Sequence, residues 1–218
     1  MKLKDTIKLL KYVPTPELNI VTAIIFGICI LVTALPLPNF MIGAFWANYI
    51  PMYFIGQITM VAYAGVIQSS EKYRKIVTKN IAILLAIVNL FEFGLFVVIR
   101  TYIAYIMHTE KYVNGYLISF MIFQILYVIY GATIYKKVKL GLMMLVLAFL
   151  LVIFSVNDNG PMAFFNKIGA MADIKVFVII AGVVCMLTPL LYYGLSLLLY
   201  KLPYYDIKIN RTIDRSSI

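Results

Sequence analysis

Residues 81–106 read IAILLAIVNLFEFGLFVVIRTYIAYI, and within this run only Glu92 and Arg100 carry a charge. The hydrocarbon core of a membrane is about 30 Å thick, and a helix of about 20 apolar residues crosses it. The run is therefore long enough to span a membrane. It decides the fold, because a helix that is apolar on every face does not suit the surface of a small soluble domain.

The whole chain repeats this pattern, since 63% of its 218 residues are hydrophobic and only 13% are charged. This composition is too apolar for a soluble domain of the same size. The sequence predicts an all-α membrane protein with six transmembrane helices, at about residues 18–35, 49–68, 81–106, 116–135, 140–156 and 176–200. A loop with Asn39, Trp46 and Asn48 precedes the second span, and Pro51 falls in its first turn, where a missing N–H costs least. Too few residues remain for a separate soluble domain, so any motor domain is expected on another chain.

Positive charge gives the predicted orientation, because cytoplasmic loops retain Lys and Arg. With six spans, fifteen of the 19 Lys and Arg residues fall on one side, and Arg100, Lys111, Lys167 and Lys175 fall on the other. Both termini are therefore predicted in the cytoplasm, with 1–17 as an interfacial segment, 18–200 as the transmembrane domain and 201–218 as a cytoplasmic tail. Many of the 17 tyrosines lie near span ends, which favours an aromatic belt over a nucleic-acid surface despite the net charge of +10.

The N-terminal residues 2–12 place Leu3, Ile7 and Leu10 at helical spacing between lysines, before Pro14 and Pro16 end the pattern. Apolar residues on one face with lysines beside them are typical of a helix that lies in the membrane interface. We therefore predict an interfacial amphipathic helix. A frayed basic tail that only orients the first span is the alternative.

The loop between the second and third spans, SSEKYRKIVTKN at residues 69–80, is the most informative polar stretch. Two to six residues suffice to join antiparallel spans. The loop begins with serines that can cap a helix, has an acidic residue near its start and basic residues toward its end, as short surface helices do. The pattern predicts a docking helix for a cytoplasmic partner, with Tyr73, Ile76 and Val77 on one face. A solvated charge cluster is the alternative.

Polar side chains also occur at the middle of the predicted spans, where Glu92 lies one turn after Asn89. An ionisable group at that depth is costly unless it faces protein or water. We name Gln57, Asn89, Glu92 and Gln124 as the candidate translocation residues. An interhelical clamp between Glu92 and Gln57 or Gln124 is the simpler interpretation. Arg100 lies two turns beyond Glu92, so we expect it to extend outward rather than to pair with Glu92.

The sixth span contains Pro189, and the hydroxyl of Thr188 is expected to bond the carbonyl that the proline frees. Cys29 and Cys185 each lie in the middle of an apolar stretch. We interpret both as small apolar packing residues.

Residues 157–173, on the predicted outer side, are too apolar for a plain solvated loop. Gly160 and Pro161 precede the sequence MAFFNKIGAM. We predict a short helix or a re-entrant hairpin at the outer interface, with a disordered apolar loop as the alternative.

The sequence lacks the residue patterns of an enzyme. Its one histidine, His108, is too little for a histidine-rich zinc site, a bis-histidine haem or a metalloprotease helix. It has no G-x-S-x-G nucleophile motif and no P-loop. We therefore expect no catalysis, metal or cofactor in this chain, and any ATP energy would come from a partner.

The amphipathic N-terminus, the six spans, the polar loop QSSEKYRK at residues 68–75 and the apolar outer segment together resemble the ABC-2 type permeases. In that family two permease subunits pair, and two separate cytoplasmic ATPase subunits bind ATP and Mg²⁺ and drive them. The resemblance implies a coupling helix at about residues 69–79 that docks in the ATPase. It also implies an interfacial helix at about 2–12 and an outer gate at about 160–171. The implied coupling residues are Ser69, Ser70, Glu71, Lys72, Tyr73, Arg74, Lys75 and Ile76, and the implied gate residues are Phe164, Phe165 and Met171.

The small size and the Lys-, Ile- and Tyr-rich composition are similar to permeases of Gram-positive peptide exporters, including bacteriocin-immunity and phenol-soluble-modulin exporters. The family usually places its fifth span on the path or the dimer contact. Here residues 140–154 carry no polar side chain, which favours an amphipathic peptide or lipid-like cargo. We therefore expect a permease in the cytoplasmic membrane that forms a homodimer or heterodimer among membrane lipids. The alternatives are a substrate-binding subunit of an energy-coupling importer and an ATP-independent carrier or channel that uses Glu92.

Overall fold

The computed structural model describes residues 3–9, 21, 25, 41–62, 73–134, 136–155 and 160–199. Within these residues the regular elements are helical, and none is a strand. The α-helices that we label are α1 (Leu3–Ile7), α2 (Ile42–Ala62), α3 (Ile81–Ile106), α4 (Val113–Thr133), α5 (Val138–Phe154), α6 (Pro161–Gly169) and α7 (Ile174–Leu199). The predicted first span (apart from Val21 and Ile25), residues 69–72 of the predicted coupling helix and the tail 201–218 lie outside the described residues.

Three helices in the described part are long and apolar enough to cross a membrane, namely Ile76–Ile106, Val113–Thr133 and Ile174–Leu199. They correspond to the third, fourth and sixth predicted spans. The fifth predicted span is the apolar helix α5, which is shorter, with 17 residues. The chain is thus an all-α protein with membrane-length helices.

Helix α2 corrects the start of the second predicted span. It begins at Ile42 instead of residue 49, so Trp46 and Asn48 lie in the helix, and Pro51 lies in its interior. The polar Asn48 is accommodated there because its amide donates to the carbonyls of Ala44 (2.8 Å) and Phe120 (3.1 Å). A polar side chain that finds its partners inside the bundle does not mark a loop.

The third span begins with a helical entry segment, residues 73–80. It consists of one α-turn, Tyr73–Lys75, and a π-helical turn, Ile76–Asn80, and it continues into α3 with helical backbone angles at Asn80 and Ile81. The helix is therefore unbroken over residues 73–106. A π-helical turn inside an α-helix is uncommon and often occurs at functional positions.

Helix α4 lies at the centre of the bundle, where it packs against α2, α5, α6 and α7. Aromatic rings join it to α2, because the Phe45 ring meets Phe123 at 5.7 Å and Tyr127 at 5.5 Å between centroids. Edge-to-face ring pairs at such distances add to the packing. The core therefore forms around α4.

Candidate functional site

Five buried side chains form a polar cluster between three membrane-length helices. They are Asn89 and Glu92 of α3, Gln124 of α4, and Cys185 and Thr188 of α7, and none is more than 7% exposed. Each pair on α3 and α7 is spaced by three residues, which places both members on one helix face. The sequence had placed Asn89, Glu92 and Gln124 at this depth, and the structure brings them to one region.

Hydrogen bonds link α3 to α7 within this polar cluster. The Asn89 amide donates to the Thr188 hydroxyl (3.3 Å), and that hydroxyl donates to the Cys185 carbonyl (3.2 Å). This carbonyl is the one that Pro189 deprives of its usual helical N–H partner. The prediction for Thr188 is therefore confirmed, and the same hydroxyl also accepts a bond from another helix.

The predicted clamp between Glu92 and an amide is not the contact that the structure forms. The Gln124 amide instead donates to the Cys185 sulfur (3.4 Å), and Gln57 lies half-buried on α2. Cys185 is buried as expected, but it also accepts a hydrogen bond. Interhelical joining in this region is done by Asn89 and Gln124, not by Glu92.

Two oxygen atoms of the polar cluster have no hydrogen-bond partner among the described residues, Glu92 Oε2 and Gln124 Oε1. Both atoms accept hydrogen bonds. Only Glu92 Oε2 can become a donor, when the carboxyl group carries a proton. A buried acceptor without a donor is costly in an apolar medium, so these atoms favour a proton, a water or a cationic group between the helices. No group of three or more His, Cys, Asp or Glu side chains that could hold a metal occurs in the described part of the chain.

The direction of the Arg100 side chain differs from the predicted one. The side chain does not extend outward but is 5% exposed, and its guanidinium carbon lies 3.6 Å from the centre of the Tyr116 ring on α4. The ring offers a face on which the planar guanidinium stacks, and this contact holds the side chain inward. As predicted, Arg100 is engaged away from Glu92.

The described part of the predicted coupling helix, from Tyr73 onward, lies in the entry segment. Arg74, Lys75 and Lys79 are exposed, whereas Ile76 and Val77 are buried, in agreement with a shared apolar face for these two. Their burial is in the bundle, and the segment runs directly into α3 instead of forming a separate helix.

Helix α1 packs against this entry segment. The Asn80 amide donates to the Thr6 hydroxyl (2.7 Å), and Thr6 and Leu9 are buried. Leu3 is partly buried, whereas Ile7 is 46% exposed. The predicted helix is present at Leu3–Ile7, but its protein-facing side is the one with Leu3 and Thr6. Leu10 lies outside the described residues.

The predicted outer segment contains helix α6, which rests on the first turn of α4. Asn114 donates to the carbonyls of Gly169 (2.7 Å) and Ala172 (2.8 Å). A Cβ at Gly169 would lie 2.7 Å from the Asn114 Cβ, so only glycine permits this approach. Of the predicted gate residues, Phe165 is buried in this contact region, whereas Phe164 and Met171 are 60% and 76% exposed.

The sequence interpretation missed the partners rather than the positions of these polar residues. It did not connect Thr188 with Asn89, Tyr116 with Arg100 or Thr6 with Asn80. One signal was available, since Asn89 with Glu92 and Cys185 with Thr188 share the same three-residue spacing on two helices.

Comparisons with protein-family models, with curated proteins and with solved structures find no match to this chain.

Proposed function

We propose that the chain is the membrane permease subunit of an ATP-binding-cassette exporter, with no ATP site of its own. Two copies of a separate ATPase, with ATP and Mg²⁺, would drive two permease subunits in the cytoplasmic membrane. The cargo would be an amphipathic peptide or a lipid-like molecule. The observation that carries this proposal is the unbroken helix over residues 73–106, which joins exposed cations at one end to the polar cluster at mid-depth.

This helix offers a mechanical route from a cytoplasmic partner to the membrane interior. A partner that moves Arg74, Lys75 and Lys79 moves the same helix that carries Asn89 and Glu92. The π-helical turn Ile76–Asn80, which contains Lys79, lies between Arg74 and the polar cluster, and such turns are frequent at functional positions. The polar cluster would then repack between two arrangements as the ATPase opens and closes.

Three contacts support the proposed grouping of loops by side, because each joins parts that the charge count puts on one side of the membrane. Thr6 meets Asn80 on the inner side. On the outer side, Asn114 meets Gly169, and the Met41 N–H donates to the Ser155 hydroxyl at 3.4 Å. An odd number of spans between the two members of any of these pairs would separate them across the bilayer.

The proposal is tested by charge reversal in the coupling segment. The chain is co-expressed with a candidate ABC ATPase subunit from the same organism, and the pair is co-purified from membranes. The double variant Glu71→Lys/Arg74→Glu is expected to lose the ATPase while remaining in the membrane at the normal level. The control is Lys137→Glu, an exposed cation in the turn before α5 that is predicted to lie on the same side.

The control separates a docking site from general attraction to positive charge. Retention of the ATPase by the double variant contradicts the coupling-segment assignment. The two changes in the double variant leave the net charge unchanged, so equal loss in Lys137→Glu would show that binding depends on cations across this side and not on this segment. Stimulation of the complex's ATPase activity by amphipathic peptides is the second expected result.

A second candidate function is favoured by the unpartnered Glu92 Oε2 and Gln124 Oε1. An ATP-independent carrier that moves protons or cations needs such a site at mid-depth. In proteoliposomes without any ATPase, a pH gradient should then drive uptake, and Glu92→Gln should abolish it. Gradient-driven uptake that Glu92→Gln leaves unchanged rejects Glu92 as the coupling residue, and no uptake at all rejects the carrier.

A further inference from the structure

A small pocket lies beside Arg100, between the last two turns of α3 and the first turn of α4. Its polar wall consists of Arg100, Thr109, Tyr112 and Tyr116, and the rest of its wall is aliphatic. None of the residues that line it is acidic. Its volume of about 10 Å³ is close to that occupied by one water-sized group. A single oxygen atom of a larger molecule fits such a space.

The pocket is lined by one cation, Arg100, and by no carboxylate. A guanidinium has five N–H donors in its plane. The Tyr116 ring covers one face of the Arg100 guanidinium, whereas the N–H donors lie in the plane of the group. The side chain is only 5% exposed, so few water molecules surround the charge. An anionic oxygen in the pocket would neutralise this charge and accept from the in-plane donors.

The depth of the pocket points to the source of that oxygen. The helix Ile76–Ile106 has 31 residues, which is about 46 Å at 1.5 Å per residue, whereas the hydrocarbon core is about 30 Å thick. Its ends therefore lie at the level of the lipid headgroups. Arg100 is six residues from the end, and the nearby Tyr102 and Tyr105 are 64% and 72% exposed, as in an interfacial aromatic belt.

We propose that the Arg100 pocket binds a phosphate oxygen, and that the phosphate belongs to the headgroup of an anionic phospholipid. Arg100 supplies the charge and in-plane N–H donors, and the Thr109 side chain completes the polar wall. Inorganic phosphate from solution has the same chemistry and is the other possible source. This inference is independent of the proposed transport function, because it uses only the junction of α3 and α4.

The test is native mass spectrometry of the purified full chain in detergent with phosphatidylglycerol. Diacylglycerol with the same acyl chains, which lacks the phosphate, is the reference lipid. We expect phosphatidylglycerol to remain bound to the wild-type chain, and Arg100→Gln to lower the bound fraction about tenfold, as expected for losing a charge-assisted contact. The control Lys175→Gln removes an exposed cation from the same predicted side and should leave the bound fraction unchanged.

A second variant and a second arm keep the result decisive. Thr109→Val keeps Arg100 and removes one hydroxyl from the wall, so it should weaken lipid retention even if Arg100→Gln fails to fold. In the other arm, sodium phosphate is compared with sodium chloride at equal ionic strength by thermal unfolding followed through the single tryptophan, Trp46. Stabilisation by inorganic phosphate without lipid retention overturns the lipid source. Equal loss in Arg100→Gln and Lys175→Gln, or no effect in either arm, overturns the pocket.

Discussion

Helices α4 and α5 are neighbours, and their relation between polarity and burial is the reverse of that in a soluble protein. Helix α4 carries Asn114, Ser119, Gln124 and Thr133, and all four are buried. Helix α5 has no polar side chain from Leu140 to Phe154, yet its large apolar side chains are mostly exposed, and only Gly141 and Ala148 are buried.

The difference shows what drives burial in this fold. Lipid is as apolar as a leucine side chain, so an apolar helix gains little by leaving it. A polar side chain gains a hydrogen bond, and a small side chain lets two backbones approach. On α4, Asn114 and Gln124 find partners on other elements, whereas Ser119 and Thr133 bond carbonyls of their own helix. Helix α5 attaches by its small-residue face. At Gly141 the gap is tight, since a Cβ there would lie 2.9 Å from the Ile134 Cα.

The largest expected effect is at a polar contact of α4. Asn114→Ala removes two hydrogen bonds and leaves the carbonyls of Gly169 and Ala172 without that donor. We expect the free energy of unfolding to fall by about 2–3 kcal/mol. The measurement is an SDS titration in mixed micelles, followed by Trp46 fluorescence. Asn114→Asp keeps the shape without the amide donor and should cost at least as much, whereas a small loss in both variants would show that polar contacts do not hold α6 on α4.

The second effect tests the small-residue face of α5. Ala148 is fully buried, so Ala148→Leu forces extra volume against the bundle and should destabilise by about 1–3 kcal/mol. Val146 is 54% exposed on the same helix, and Val146→Leu should change the unfolding free energy by less than about 0.5 kcal/mol. If the two leucine variants were equally stable, α5 would not be anchored through Ala148.

These two contacts also mark the limit of prediction from the sequence. The fold class and the positions of α3, α4, α5 and α7 follow from apolar length, because the bilayer imposes it. The rotation of each helix does not follow, since α5 is apolar on every face from Leu140 onward and its pattern does not encode a direction. The predicted start of the second span was wrong for a related reason. Trp46 and Asn48 resemble loop residues until their partners on neighbouring helices are known.

The polar residues of the candidate site follow the same rule. The depth of Glu92 and Gln124 could be counted along the chain, but their partners depend on which faces meet. Arg100 was expected to extend outward because a long cation usually does so near a span end. Tyr116, on another helix, provides the stacking surface that holds it inside.

A third, smaller effect lies in the turn that leads into α4. His108 has a φ of 52° and lies two residues beyond the end of α3, where the Thr109 N–H donates to the Ala104 carbonyl (2.9 Å). Glycine is favoured at this position because a side chain is strained there. His108→Gly should stabilise the chain by about 0.5–1 kcal/mol in the same titration. The control His108→Ala removes the imidazole but keeps the Cβ, so it should give no gain. A gain in alanine would assign the cost to the ring instead of the backbone.

The smallest effect is expected on the lipid-facing side of α5. Ile153 is 62% exposed, so Ile153→Ala removes little contact within the subunit and should change the unfolding free energy by less than about 0.5 kcal/mol.

The same variant tests whether this face of α5 contacts lipid or a second copy of the chain. In lipid the apolar side chain has no preferred partner, and the self-association of the chain in detergent should be unchanged. A permease pair that uses α5 as its contact would instead dissociate at higher protein concentration in Ile153→Ala than in wild type. Analytical ultracentrifugation across a dilution series distinguishes the two results. Weaker self-association with an unchanged free energy of unfolding would show that a second copy of the chain covers the apolar face of α5.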